Sequence, residues 1–266
     1  MKFISHWVKS QDAYLLPLGD IHVGDKAFTK QSLTLLQEKI DFVKKRSNAR
    51  IVGMGDWLNV ATRTSKSSPF EQNMDLEEQI EMICKIFEPV KEKIIGLIDG
   101  NHEQRIADHA GYSPTIAICD RLKVPYLGTS AVLDFRVGVR NKESNQTSAI
   151  SYIVYAHHTT AGGRTIGSKI NRTALLAEMV ANADIYLGAH SHEETSNISS
   201  CYLANPHQQE IVELIQYFVD CGSFLEWKKS YAERIQMKPM PMGSPTIWFR
   251  GTRLHGLINK EIKISL

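Results

Sequence analysis

The sequence predicts an α/β fold in which two β-sheets face each other and helices flank them. Three observations lead there. The first hundred residues alternate short apolar runs with helical periodicity, the pattern of strand–helix–strand units and a largely parallel sheet. The remainder is rich in strand-like stretches with one helical segment among them. Asp, His and Asn residues gather where the apolar runs stop, which is where open α/β sheets collect their ligands.

Residues 14–18 form a short apolar run ending at Gly19-Asp20, a buried strand feeding a loop. Leu33, Leu36, Ile40 and Val43 then recur at three- and four-residue spacing and predict a helix over 29–46. Residues 51–54 read as a second strand ending at Gly55-Asp56, and the Ser-, Thr- and Lys-rich residues 61–70 as an exposed loop. Leu76, Ile80, Ile83, Phe87 and Val90 stripe a long helix over 74–93, and residues 94–98 form a third strand ending at Asp99-Gly100-Asn101. Strand-like stretches follow at 132–139, 150–156, 184–187, 211–221 and 246–264, with a helix near 168–181 and a polar turn at 141–147. No repeat or linker divides the chain, so residues 1–266 are expected to form one domain.

Composition excludes several classes. A net charge of +2 is too mild for a protein that coats nucleic acid. No apolar stretch approaches the ~20 residues that cross a bilayer, and residues 1–10 hold no signal-like apolar run. Cys84, Cys119, Cys201 and Cys221 lie far apart, without metal-site or disulfide spacing, and are expected to be reduced thiols of a cytoplasmic protein.

The chemistry sits in five clusters: Asp20-Ile21-His22, Gly55-Asp56, Gly100-Asn101-His102-Glu103, His157-His158 and His190-Ser191-His192. Asp, His and Asn make a hard-to-borderline ligand set with no thiolate, suited to divalent cations. A pair of such cations is common machinery for phosphate-ester hydrolysis. Asp20 and His22, one residue apart, can both turn towards one ion, and Asp56 can bridge two ions with its two oxygens. A lone His at a strand end is usually structural and Gly-Asp is an ordinary turn. It is the order and strand-end placement of all five that speak for a metal site.

In these motifs the chain resembles the calcineurin-like metallophosphoesterase superfamily, whose signature runs D-x-H, G-D-x-x-D/N, G-N-H-D/E, H and G-H-x-H. Here it reads Asp20-Ile21-His22, Gly55-Asp56-Trp57-Leu58-Asn59, Gly100-Asn101-His102-Glu103, His157 and Ala189-His190-Ser191-His192, spanning about two-thirds of the chain. The resemblance implies an αββα sandwich of two mixed sheets with a dinuclear site at its strand ends. It implies that Asp20, His22 and His192 hold one ion, that Asn101, His157 and His190 hold the other, and that Asp56 bridges them. His157 and His158 point to opposite faces of a strand, so one of them binds metal, and the family order selects His157. Through Gly162-Gly163-Arg164-Thr165-Ile166-Gly167 the chain is most similar to small phosphoesterases encoded by phages and prophages, which implies a host cytoplasm. Two positions depart from the pattern. Ala189 replaces a glycine, and Asn59 replaces the aspartate that would partner His102. Asn59-Val60-Ala61 also stands where the superfamily's protein phosphatases have Asp-Arg-Gly, which disfavours that activity.

The expected function is hydrolysis of a phosphate ester by a phosphodiesterase or nuclease using two divalent ions, Mn²⁺ first, with Fe, Zn²⁺ or Ni²⁺ also compatible with N/O ligation. His102 is expected to protonate the leaving group, its ring oriented by Asn59 or Glu103. Arg164, Lys169 and Arg172, in a glycine-rich loop leading into a helix, are expected to contact the substrate phosphate, with nucleic acid a candidate partner. The alternatives are a small-molecule phosphomonoesterase, or a binding protein on a decayed scaffold.

Overall fold

The computed structural model describes residues 1–62, 65, 70, 72–139, 149–160, 163, 165–207, 209–228, 230–252 and 260–266. Its elements run β1 (Lys2–Val8), β2 (Asp12–Leu18), α1 (Lys30–Lys45), β3 (Ala49–Gly53), α2 (Leu76–Phe87), β4 (Ile94–Ile98), α3 (Asn101–Ala110), α4 (Pro114–Leu122), β5 (Tyr126–Gly128), β6 (Ser130–Val137) and β7 (Ile150–His157). There follow α5 (Ile166–Ala174), β8 (Ile185–Gly188), β9 (Glu194–Asn205), β10 (Glu210–Cys221), α6 (Tyr231–Arg234), β11 (Thr246–Arg250) and β12 (Ile262–Ser265).

The strands form two six-stranded mixed sheets, ordered β1-β6-β7-β8-β10-β9 and β12-β11-β2-β3-β4-β5. In the second, β2 to β5 are parallel, as the early strand–helix alternation requires, while β11 and β12 add antiparallel strands at one edge. The architecture is the expected αββα sandwich. Ala13 and Leu15 of β2 pack into the core between the sheets, whereas Leu16 and Leu18 face the helices, where Leu36, Ile40, Ile80 and Ile83 meet them. Covered on both faces, these strands read as continuous apolar runs rather than alternating ones. A third, smaller core on the outer face of the first sheet joins Tyr155, Tyr186 and Phe218 to Leu176.

Helix ends follow local chemistry. Thr29 caps α1 and Asp75 caps α2, each reciprocally with the residue three positions on. The helix expected over 74–93 stops at Phe87 and tightens into a 3₁₀ turn over Glu88–Lys93, because Pro89 lacks an amide donor for continued α-helix. The helix expected near 168–181 begins earlier and ends in a 3₁₀ turn over Leu175–Glu178. The stretch 246–264 resolves into β11 and β12, and the turn expected at 141–147 lies outside the described residues. Six elements had no sequence expectation: β1, α3, α4, the short β5, the long polar strand β9 and the single turn α6. Among the described residues no helix is long and apolar enough to cross a membrane.

Candidate metal centre

Asp20, Asp56 and Asn101 follow the carboxyl ends of β2, β3 and β4, and His158 and His190 follow those of β7 and β8. The two sheets therefore deliver their loops to one end of the sandwich. The loops touch through their backbones: Asp20 N donates to Gly55 O at 3.0 Å and Ile21 N to Asp56 O at 2.9 Å. This closeness requires glycine at two positions. A Cβ on Gly55, whose φ is +85°, would lie 2.5 Å from Gly100 N, and one on Gly100 would lie 2.1 Å from both Asp56 N and Asp56 Oδ1. The site residues are themselves bent sharply. Asp20, His22, Asp56, His190 and His192 take left-handed φ values of 47°, 51°, 50°, 68° and 56°. Non-glycine residues seldom adopt these angles, and such strain concentrates at sites where a fold over-determines its geometry.

The side chains converge. His22 Nε2 lies 3.1 Å from His192 Nε2 and 3.7 Å from Asp20 Oδ1, and His192 Nε2 lies 3.5 Å from that oxygen. Asp20 Oδ2 accepts the His190 amide at 2.7 Å, while buried Oδ1 has no hydrogen-bond donor among the described residues. Asp56 joins this group to a second one. Its Oδ1 accepts the His102 amide at 2.9 Å, and its Oδ2 lies 3.7 Å from His22 Nε2 and 3.2 Å from His158 Nε2. Asn101 Oδ1 completes the second group, 3.1 Å from His158 Nε2 and 2.5 Å from His190 Nδ1. Separations near 3 Å are those of atoms sharing an ion at ~2.1 Å, and an acceptor oxygen buried without a donor has a reason to be there if a cation is its partner. Three overlapping sets each gather their ligand-type atoms within 4.8 Å of one another: Asp20-His22-His192, His22-Asp56-His102 and Asp56-His158-His190.

The electrostatics suit a cation too. Burial penalises the charged forms of Asp20 and Asp56, yet the surrounding imidazoles win and hold both carboxyls below their usual range. Burial also opposes a charged His158, but Asp56 and Asp20 push its pKa up to about 10. Burial, with His102 nearby, lowers His22 to about 4, and burial with His158 lowers His190. Burial opposes a charged His192 as well, but Asp20 raises it, so carboxylates and imidazoles here hold protons between them that a bound cation can replace.

The structure brings together Asp20, His22, Asp56, Asn101, His102, His190 and His192, and it makes four corrections. First, His158, not His157, enters the centre. His157 shares with Tyr155 the outer face of β7, its Nδ1 accepting the Thr159 amide at 2.7 Å, whereas buried His158 donates to Met54 O at 2.7 Å and turns inward. Second, Asp56 offers one oxygen to both groups rather than one to each, because the His102 amide takes the other. Third, His102 is oriented by the main chain of Asn59: its Nδ1 donates to Asn59 O at 2.5 Å, while Asn59 Nδ2 is buried without a partner among the described residues. Glu103 does not touch the ring. Buried, it accepts the amides of Asp56, Leu58 and Gly100, each at 3.0 Å, and so ties two loops together. Fourth, Lys169 is buried and committed, donating to Glu193 Oε1 at 2.8 Å and to Ser191 O at 3.1 Å. It anchors the loop bearing His190 and His192 and is not available to a substrate. Exposed Arg172 donates to Thr160 Oγ1 at 3.3 Å, just beyond His158, and Arg164 lies outside the described residues. Ala189 is tolerated in place of glycine because its φ is not left-handed.

No family model and no curated protein sequence matches the chain. Among solved structures it is similar to a predicted phosphoesterase from Streptococcus pneumoniae TIGR4, at 12% identity and a TM-score of 0.36, over 95% of this chain and 98% of that one. Vacuolar Protein Sorting 29 from Cryptosporidium parvum matches at 12% identity and 0.40, over 96% and 98%. NAD nucleotidase from Haemophilus influenzae matches at 10% and 0.42, over 97% of this chain and half of its own. Likenesses of this strength carry no argument about chemistry, which rests on the centre itself.

Proposed function

We propose that the chain is a metal-dependent phosphoesterase, acting on phosphodiesters such as nucleic acid through two divalent cations, Mn²⁺ foremost. The supporting observation is Asp56 Oδ2, one carboxylate oxygen set between His22 Nε2 and His158 Nε2 with ligand-type atoms grouped on either side. Asp20, His22, His192 and Asp56 would hold one cation, and Asp56, Asn101, His158 and His190 the other. Such a pair supplies Lewis acidity to the phosphate's non-bridging oxygens and an acidified water as nucleophile.

The protein's own contribution centres on His102. A carbonyl can only accept, so Asn59 O holds the Nδ1 proton in place and leaves Nε2 as the exchanging nitrogen. Nε2 lies 3.9 Å from Asp56 Oδ2 and is partly open to solvent, where it can protonate a departing alkoxide. The His102 amide on Asp56 Oδ1 fixes acid and bridge relative to each other. Asn59-Val60-Ala61 speaks against a protein phosphatase, and exposed Arg172, which donates to Thr160 two residues beyond His158, would be the cation to meet a substrate phosphate. The reading includes a cytoplasmic setting, in a host cell for a phage-encoded chain, with which four unpaired cysteines are compatible.

The test is a panel of bis-p-nitrophenyl phosphate, p-nitrophenyl phosphate and single-stranded DNA, with Mn²⁺, Fe²⁺, Zn²⁺ and Ni²⁺ titrated into chelated protein. Diester and DNA cleavage is expected with Mn²⁺, lowered 10²–10⁴-fold in His102→Ala, roughly the contribution of a general acid, with Mn²⁺ binding retained. Absence of turnover with every metal refutes the enzyme reading. Preference for the monoester refutes the diesterase.

A further inference from the structure

We infer that the β9–β10 hairpin is the contact arm of a homodimer, its apolar inner face packing on the same face of a second copy. This inference does not depend on the phosphoesterase reading.

The hairpin outruns the sandwich. β9 and β10 pair in unbroken register from Glu194↔Cys221 to Asn205↔Glu210, yet β8 supports β10 only over Tyr217–Asp220. From Gln216 outward β10 has, among the described residues, β9 alone as a strand neighbour, and a two-stranded ribbon is marginal on its own in water.

Both faces carry exposed apolar side chains, Val212 at 42% and Leu203 at 43% on the outer one, but the inner face carries more of them and more openly. Val219 lies in the core between the sheets and Tyr217 packs against that core, so residues two apart along β10 extend the inner face outward. Ile215, Glu213 and Ile211 follow, opposite Ser200, Tyr202 and Ala204, and Tyr217 stands opposite Ile198. Four large apolar side chains on this one face are open to water: Ile198 at 61%, Tyr202 at 72%, Ile211 at 74% and Ile215 at 50%. Within the sandwich this face is covered by the second sheet; on the arm no element of the described residues buries it.

Two features select a second copy as the cover. The four side chains present on the order of 500 Å² of apolar surface, large for one patch on a monomer. Two such arms together reach about 1,000 Å², the threshold of a specific interface. Charge excludes the polyanions, because no Lys or Arg occurs between Glu194 and Cys221, so neither nucleic acid nor an anionic membrane finds a phosphate anchor there. A two-fold pairing presents this face to itself and closes without leaving a further copy exposed.

Sedimentation velocity on the full chain tests the inference. The wild type is expected to sediment as a dimer at micromolar concentration. Tyr202→Glu/Ile211→Glu is expected to associate on the order of 100-fold more weakly, as loss of an interface hot spot would cause, with wild-type circular dichroism and unfolding. Val212→Glu, on the opposite face, should remain dimeric. If the double variant does not fold, Ile211→Ser carries the same expectation. A wild type that stays monomeric at ~100 μM, well above the Kd of a weak specific dimer, overturns the inference and leaves the arm to another partner. So does a dimer that survives the inner-face substitutions, or one that Val212→Glu abolishes equally.

Discussion

Replacing Lys169 by Met separates an anchor from a substrate contact. The stem keeps its volume, but Glu193 Oε1 and Ser191 O lose their donor at 2.8 and 3.1 Å. Glu193 has a side chain only 2% exposed, and its other oxygen already lacks a hydrogen-bond partner among the described residues. Breaking a buried pair from one side leaves an uncompensated charge and costs about 3–5 kcal/mol. For a chain of this size that lowers the melting temperature by roughly 6–20 °C. Ser191 lies between His190 and His192, so cation affinity should fall as well. The assay is thermal unfolding of chelated protein beside calorimetric Mn²⁺ titration. Lys169→Met/Glu193→Leu serves as the companion, because removing both charges should recover most of the loss. A single variant within about 1 kcal/mol of wild type, as for an ordinary surface change, combined with a raised KM, would refute the anchor and restore Lys169 to substrate binding.

Three further outcomes are expected. His158→Ala should lose at least on the order of 100-fold in kcat/KM, while His157→Ala stays within about twofold; parity between them in a diesterase assay would reject His158 as the inward histidine. Burial, opposed by hydrogen bonds from Thr173 and Thr195, raises the Asp220 carboxyl to about 6. Between about pH 4 and 6 the unfolded chain loses that proton before the folded one does, so folding stability falls as pH rises through this window. Asp220→Asn should therefore gain stability over wild type by roughly 3 kcal/mol between pH 4 and 7; urea unfolding at both pH values checks it, and a constant difference would contradict it. Gly100→Ala should cost about 1–3 kcal/mol by overpacking the Asp56 loop and weaken Mn²⁺ binding, both readable by unfolding and calorimetry.

What the chain discloses before folding depends on how local the cause is. Asp20, Asp56, Asn101 and His190 could be placed because each ends an apolar run, and strand ends are local. The choice between His157 and His158 was not local. Ile153 and Tyr155 on one face of β7 are as apolar as Tyr152 and Val154 on the other, so a strand covered on both sides gives no alternation from which to tell inward from outward. Lys169 looked like a phosphate ligand because its partner, Glu193, stands 24 positions away; an acid directly after His-Ser-His was the available signal. β9 escaped notice because Thr195, Ser196, Asn197, Ser199 and Ser200 make a polar stretch whose pairing is fixed only by β10. The orienting of His102 by a main-chain carbonyl leaves no trace in side-chain identity.

The left-handed turns at Asp20, His22, Asp56, His190 and His192 set a direction for change under selection. Each holds a side chain at an angle where glycine would rest more easily. A population selected only for robustness to heat, with no demand for turnover, should relax these five positions first. Hardiness gained in that way would come from undoing the convergence of these side chains at the strand ends.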